Sequence, residues 1–513
     1  MKNNFRVLGL IVFVSVLTVS CQIKNQNQKA ETKPNIIYIL ADDLGYGELG
    51  CYGQEKIETP NIDQLAKEGL MFTQHYSGSA VCAPSRSVLL TGKHSGHTDI
   101  RNNGAWASRG DVQNIFAMVK DSSLEGNLPL LDNTVTLANL LQNAGYKTGM
   151  SGKWGLGAPH VSSIPTKKGF DFFIGYICQR MAHTYYPPFL YKNDRRIYLD
   201  NETIDLGEKF PKDKDPLDEK NYARYTQPDY APEVMYNEME NFVVDNKNNP
   251  FFFYWASIIP HVALAAPQNW IDYYVEKFGD EEPYNGNRGY YPHRYPHAAY
   301  AAMVSYFDEN VGKLIAKLKE LGIYDNTLII FTSDNGPTFN GGADSKWFES
   351  TGVLGGGGGR IKGSVYEGGI RVPMIASWPG KIKPGTKTDH VSAFWDVMPT
   401  LCDIAKIDPP KDTDGISMLP TFLGDGVQEE HSDLYWELGV KQAVRMGKWK
   451  GIRKNSKEKL GEIELYNLEN DIKEDNNVAE DFPEIVEQIK TIMQKEHVPA
   501  EIDAFKQKVL GDK

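Results

Sequence analysis

The stretch Cys82-Ala83-Pro84-Ser85-Arg86, followed by Thr91-Gly92, sets a thiol beside a proline, a serine and an arginine where a helix begins. A buried structural thiol needs none of these neighbours, and a disulfide needs only a partner. Pro84 suits a first helical turn. A nucleophile at a helix N-terminus meets unpaired N–H groups and a dipole that both favour an anion, and Arg86 adds a fixed positive charge. Two further pairs, Asp42-Asp43 and Asp334-Asn335, offer four oxygen side chains, a set that suits one hard cation such as Ca²⁺. Singly, each pair reads as a cap or a turn; together with Cys82 they read as ligands, with Ca²⁺ favoured over Mg²⁺.

The elements that position these residues are legible as apolar runs that stop at polar residues: "NIIYILADD" (35–43), "PFFFYWASIIPH" (250–261) and "NTLIIFTSDNG" (326–336). Such runs predict buried strands of a mostly parallel sheet. Between them, helical patterns recur, among them "TPNIDQLAKEGL", "VTLANLLQNAG" and "YAAMVSYFDENVGKLIAKLKELG", the last with Met303, Phe307, Val311, Leu314 and Leu318 on one face. Alternating strands and helices predict an α/β sandwich. In open α/β sheets, ligands collect beyond the carboxyl ends of the strands, where Asp42, Asp43, His261, Asp334 and Asn335 fall. Residues 180–300 are rich in Tyr, Pro and His and predict long loops around a pocket mouth. Beyond about residue 405, "DLYWEL", "KQAVRMGKWKGIR", "IELYNL" and a final helix "PEIVEQIKTIMQKE" predict a smaller α+β subdomain over 406–513, after a main domain over 34–405.

The 513 residues carry a net charge of -12, which argues against a nucleic-acid or anionic-membrane surface and leaves any grip on an anion to a locally basic pocket. Lys2 and Arg6 precede and flank an apolar run, Val7 to Val19, that is short for a membrane span; residues 1–21 therefore read as an export leader. "LTVSC" is similar to a bacterial lipoprotein box, which would make Cys21 a lipidated N-terminus and any membrane contact a lipid anchor, in the periplasm or on the outer membrane; simple secretion is the alternative. Residues 22–33 read as a polar tether. The five cysteines are too few and too widely spaced for a disulfide scaffold or a metal cluster.

The Cys82 motif resembles the signature of the formylglycine-dependent (type I) sulfatases of the alkaline phosphatase superfamily, over roughly residues 34–480. The resemblance implies an alkaline-phosphatase-like sandwich of a large mixed sheet between helices, a maturing enzyme that oxidises Cys82 to formylglycine, and hydrolysis of sulfate esters on a sulfated saccharide. A geminal diol attacks sulfur with one hydroxyl and expels sulfate with the other, which avoids a second hard hydrolysis. By the same resemblance Asp42, Asp43, Asp334 and Asn335 hold the metal beside Cys82, Lys153 and Lys362 contact the sulfate, and His261 protonates the leaving alcohol.

One position departs from the family pattern. Gly155, in "SGKWGLG", stands where these enzymes commonly carry a histidine that helps break down the sulfated intermediate, and His183 is the candidate substitute. Arg101, Asn102, Asn103, Gln179, Arg180, Tyr185 and Tyr186 are candidate sugar contacts. Two other readings stay open: a phosphate or phosphonate monoester hydrolase of the same superfamily, and a glycan-binding protein that has lost catalysis.

Overall fold

The computed structural model of the chain describes Met1 and residues 33–513; the expected leader, tether and Cys21 lie outside the described residues. An eleven-stranded sheet forms the centre. Its middle is parallel, with Thr327–Ser333, Asn35–Ala41, Phe251–Ala256, Lys147–Lys153 and Phe172–Tyr176 side by side in that order. The first three strands are buried along their whole length. That explains why they read as unbroken apolar runs rather than as an alternating pattern.

Register places the site. Ala41 pairs with Ser333, so Asp42-Asp43 and Asp334-Asn335 leave the sheet at the same level. Leu40 pairs with Ala256 and Gly152 with Ala256 on its other side, which brings Lys153 and the turn leading to His261 to the same edge. Antiparallel strands close the flanks: Arg371–Ser377 runs between Thr327–Ser333 and Leu70–Tyr76, and Phe189–Lys192 pairs with Arg195–Tyr198 at the other end. The sheet is therefore mixed and mostly parallel, as the sequence predicts. Helices flank it, including Pro296–Glu320, where Met303, Phe307, Val311, Leu314 and Leu318 are all buried.

Residues 33–513 form one compact unit. Its C-terminal part is a four-stranded antiparallel sheet, Leu434–Leu438, Lys441–Met446, Trp449–Lys454 and Ile463–Asn467. "KQAVRMGKWKGIR" is two of these strands, turning at Gly447 with φ +55°. Alternation along the first strand divides its faces. Tyr435 packs with Val444, Leu465, Ile489 and Met493 under the helix Pro483–Glu496, while Trp436 joins the main core and donates to the Ser77 carbonyl at 2.9 Å.

Candidate active site

Cys82 opens the helix Cys82–Thr91, whose ten residues are all buried. The residue before it, Val81, offers no side-chain cap. Asn103 supplies one from a separate loop: its Oδ1 accepts from the Ala83 N–H at 2.9 Å, which satisfies a donor the helix cannot pair internally. One turn on from Cys82, the Arg86 guanidinium is clamped to the strand ends. Its Nε and Nη2 lie 3.0 and 2.9 Å from Asp334 Oδ2, Nη2 lies 3.4 Å from Asp42 Oδ2, and Nη1 donates to the Lys153 carbonyl at 2.9 Å. The helix is thus fixed to three strands through one side chain.

The Cys82 thiol donates to Asp42 Oδ1 at 3.2 Å, with Asp43 Oδ1 at 3.8 Å. Lys153 Nζ is 2.8 Å from Asp42 Oδ2. Lys362 Nζ is 2.6 Å from Asp43 Oδ1 and 3.5 Å from Cys82 Sγ. Burial pushes the thiol well up from its ordinary range, and Asp42 pushes it further. Burial also works to raise Asp42, but Lys153, His261, Arg86 and Lys362 outweigh it and hold that carboxyl well below the usual range. Asp334 behaves differently: burial and the neighbouring Asp42 push it up to about 7, and Asp43 is raised for the same first reason.

Three buried carboxylates crowded at one edge ask for a cation. Asn335 adds a specific sign: its Nδ2 donates to Asp43 Oδ1 at 2.8 Å, while its Oδ1 is buried with no hydrogen-bond partner among the described residues. Ligand atoms of Asp42, Asp43, Cys82 and His261 also lie within 4.8 Å of one another. Hard oxygen donors with one orphaned amide oxygen fit a divalent cation.

His261 follows the strand Phe251–Ala256. Its Nδ1 is 2.5 Å from the Val262 carbonyl, and because a carbonyl only accepts, the proton sits on Nδ1. Nε2 is left toward the site, 3.6 Å from Asp43 Oδ2. His183 stacks on His261 with centroids 4.7 Å apart and planes 8° apart, and both of its ring nitrogens are buried without a partner among the described residues. Burial first, then neighbouring cationic groups, lower both imidazoles well below their ordinary value. Tyr290 closes this side, edge-on to both rings at 5.6 and 5.9 Å. Sequence reasoning missed Tyr290, because a tyrosine in a tyrosine-rich loop carries no distinguishing signal.

The structure thus gathers Cys82, Arg86, Lys153, His261, Lys362, His183 and the four expected metal ligands. Gly155 has φ +71°, and a Cβ there would lie 3.1 Å from Gln179 Oε1, so Gln179 occupies the space beside the vacant histidine position. That Oε1 and the Arg180 Nε are buried without partners among the described residues. Asn102 is exposed and accepts from the Asn103 N–H at 2.8 Å.

Three of the expected sugar contacts are buried in the fold. Arg101 is buried, with Nη1 3.0 Å from Glu437 Oε1 and 2.6 Å from the Val498 carbonyl; its charge ties the C-terminal sheet to the main one. Tyr185 is fully buried and its hydroxyl faces the Ile258 and His261 carbonyls at 2.7 and 2.6 Å, so it positions the histidine turn. Tyr186 is buried against a different cavity of about 600 Å³, beside Tyr225 and Leu264.

The profile of the sulfatase family matches residues 34–407, and that of the N-sulphoglucosamine sulphohydrolase C-terminal region matches residues 360–499. An N-acetylgalactosamine-6-O-sulfatase from Bacteroides thetaiotaomicron is 30% identical over 96% of this chain and 99% of its own. Human arylsulfatase A is 33% identical over 81% of this chain and 74% of its own. The crystal structure of Ps i-CgsB superposes with a TM-score of 0.70 at 27% identity, covering 91% of this chain and 94% of the other. Fold and site together define a sulfuric ester hydrolase. The chain belongs to the sulfatase family, whose members generally use a formylglycine and a divalent metal.

Proposed function

We propose that the protein removes sulfate from an end unit of a sulfated glycan, through a formylglycine made from Cys82 and a Ca²⁺ ion held by Asp42, Asp43, Asp334 and Asn335. The observation that carries this reading is the environment of the thiol. A sulfur that burial keeps protonated is a poor thiolate, yet Lys362 approaches it directly and Arg86 and Lys153 gather at Asp42, the acceptor of its proton, as a site for an anion would require. Oxidation of Cys82 to the aldehyde hydrate by a sulfatase-maturing enzyme resolves that conflict, because a hydroxyl replaces the sulfur. The bound cation supplies Lewis-acid polarisation of a sulfate oxygen and favours the ionised hydroxyl.

The chain's own groups do the rest. Lys153 and Lys362 bind and orient the sulfate oxygens. His261, its Nδ1 proton held by Val262, presents Nε2 to the leaving alcohol; the charge of the arriving ester offsets that of Lys362 and favours the proton it must donate. His183, with two unsatisfied nitrogens beside His261, takes the proton when the second hydroxyl expels sulfate. The glycan substrate is supported by the relative named for N-acetylgalactosamine 6-sulfate and by the crystal structure of Ps i-CgsB with a neocarrahexaose. Cys82 is fully buried, so a sulfate that projects from an end unit reaches it more readily than one flanked by further units on both sides.

The leader expected over residues 1–21 supports a reading of the enzyme as exported, anchored through Cys21 or secreted; fractionation of expressing cells, with Cys21→Ala in parallel, separates the two. A screen of singly sulfated monosaccharides is the test of function. Free sulfate should appear from at least one of them and not from the matching phosphate esters. Mid-chain desulfation of a polymer, or preference for phosphate, contradicts the reading.

A further inference from the structure

A cavity of about 700 Å³ adjoins the reacting residue, because Lys362 lines it and also approaches Cys82 Sγ. Its walls come from both parts of the fold: Phe339, Arg360 and the glycine run from the main sheet's loops, and Lys441 and Lys454 from the C-terminal sheet. Four of its lining side chains, Arg360, Lys362, Lys441 and Lys454, are cationic, and Asp475 is the one carboxylate among the residues that line it. This concentration of positive charge sits in a chain with 67 acidic and 55 basic residues, so it is not a sample of the general surface.

Two of these lysines are set directly against each other. Lys441 and Lys454 are direct cross-strand partners, and like charges opposite one another destabilise a sheet. Lys454 is partly compensated by Glu464 at 2.6 Å and donates to the Tyr366 hydroxyl at 3.0 Å. Lys441 uses one donor on the Gly363 carbonyl at 2.8 Å, and no carboxylate reaches it among the described residues. An ammonium has three donors, so Lys441 keeps two for something else. Arg360 is held by Asp475 at 2.9 Å. Across the cavity, Phe339 is 48% exposed and offers a flat apolar face of the kind that packs on a sugar ring.

We propose that this groove holds the sugar unit next to the one that loses sulfate, and that it selects substrates whose neighbouring unit carries an anion of its own, a second sulfate or a uronate carboxylate. The proposal rests on the reading of the enzyme as a glycan sulfatase and adds the charge of the neighbouring unit to it. Lys441 and Lys454 grip that anion, and Phe339 packs against the ring. The reacting unit lies beyond Lys362.

The test compares kcat/KM for four substrates that share one reacting unit: the singly sulfated monosaccharide, and disaccharides whose second unit is neutral, sulfated or a uronate. The anionic disaccharides should exceed the neutral one by about tenfold or more, the scale of one or two charge-assisted hydrogen bonds, and the gap should shrink as salt is added. Whichever of the two anions gains more identifies the source. In the Lys441→Ala, Lys454→Ala double variant the ratio of anionic to neutral disaccharide should fall toward one; because it is a ratio within one sample, any unfolded fraction cancels. Equal rates on neutral and anionic disaccharides, or an unchanged ratio in the double variant, overturns the groove while leaving the sulfatase reading intact. No sulfate release from any of the four, by protein shown to carry the aldehyde at position 82, overturns both.

Discussion

On the strand side of the pocket each cation is met by an anion: Arg86 by Asp334, Lys153 by Asp42, Lys362 by Asp43. On the loop side, two imidazoles stack face to face, and neither nitrogen of His183 has a partner among the described residues. The first arrangement pairs its charges within the fold, and the second leaves its nitrogens for substrate. Damage on the strand side should therefore cost stability and rate together, whereas damage on the loop side should cost rate alone.

Arg86→Ala tests the strand side and should have the largest effect. It leaves buried Asp334 without its counter-charge and Asp42 with Lys153 alone, a loss of roughly 3–5 kcal/mol readable as a fall in the urea midpoint, together with a drop in kcat of about 10²–10³. Arg86→Lys should rescue little, since an ammonium cannot span Asp334, Asp42 and the Lys153 carbonyl at once. A normal urea midpoint in Arg86→Ala would erase the distinction between the two sides.

His183→Ala tests the loop side. With no hydrogen bond to lose, its urea midpoint should stay close to that of the parent, while kcat falls on the order of 10²-fold. The stalled step is the release of sulfate, so rapid quench should show alcohol released ahead of sulfate in the first turnover. Equal early yields of the two products would remove His183 from that step.

Tyr185→Phe probes the joint between the sides. It strands the buried His261 carbonyl, since that of Ile258 still accepts from the His261 N–H, a cost of about 1–3 kcal/mol, and loosens the turn that aims His261; the change should appear in stability first and in kcat second. The smallest effect is on pH. Burial depresses the pKa of both His183 and His261 below the unfolded value near 6.5, so at lower pH the unfolded chain binds more protons than the native one. Their contribution to stability is complete above about 6.5 and is lost as pH falls through the window beneath it. In His183→Ala that slope should be shallower, as urea titrations from pH 7 to 5 would show.

Much of the strand side was legible in the sequence because parallel strands buried on both faces must be apolar until they end, which marks Asp42, Asp43, Asp334, Asn335 and His261 by where the runs stop. Lys153 and Lys362 were legible through the family resemblance. The loop side was less so. Arg101 looked like a ligand contact because its partner, Glu437, is 336 residues away, and nothing local announces such a pairing. Tyr185 and Tyr290 stand in similar tyrosine-rich sequence, yet one hydroxyl is consumed by backbone carbonyls and the other ring faces the imidazoles. The cationic groove was hidden for the same reason: Lys441 and Lys454 become neighbours of Lys362 only when the C-terminal sheet packs against the glycine run.

The central claim is that position 82 acts as an aldehyde hydrate and not as a thiol. The most direct measurement prepares the enzyme with and without a co-expressed maturing enzyme, determines by mass spectrometry the fraction of the Cys82 peptide carrying the aldehyde, and measures sulfate release from the same samples. Activity should rise in proportion to that fraction and vanish in Cys82→Ala and Cys82→Ser prepared without maturation. Sulfate release from protein whose position 82 is entirely unmodified cysteine would contradict the account.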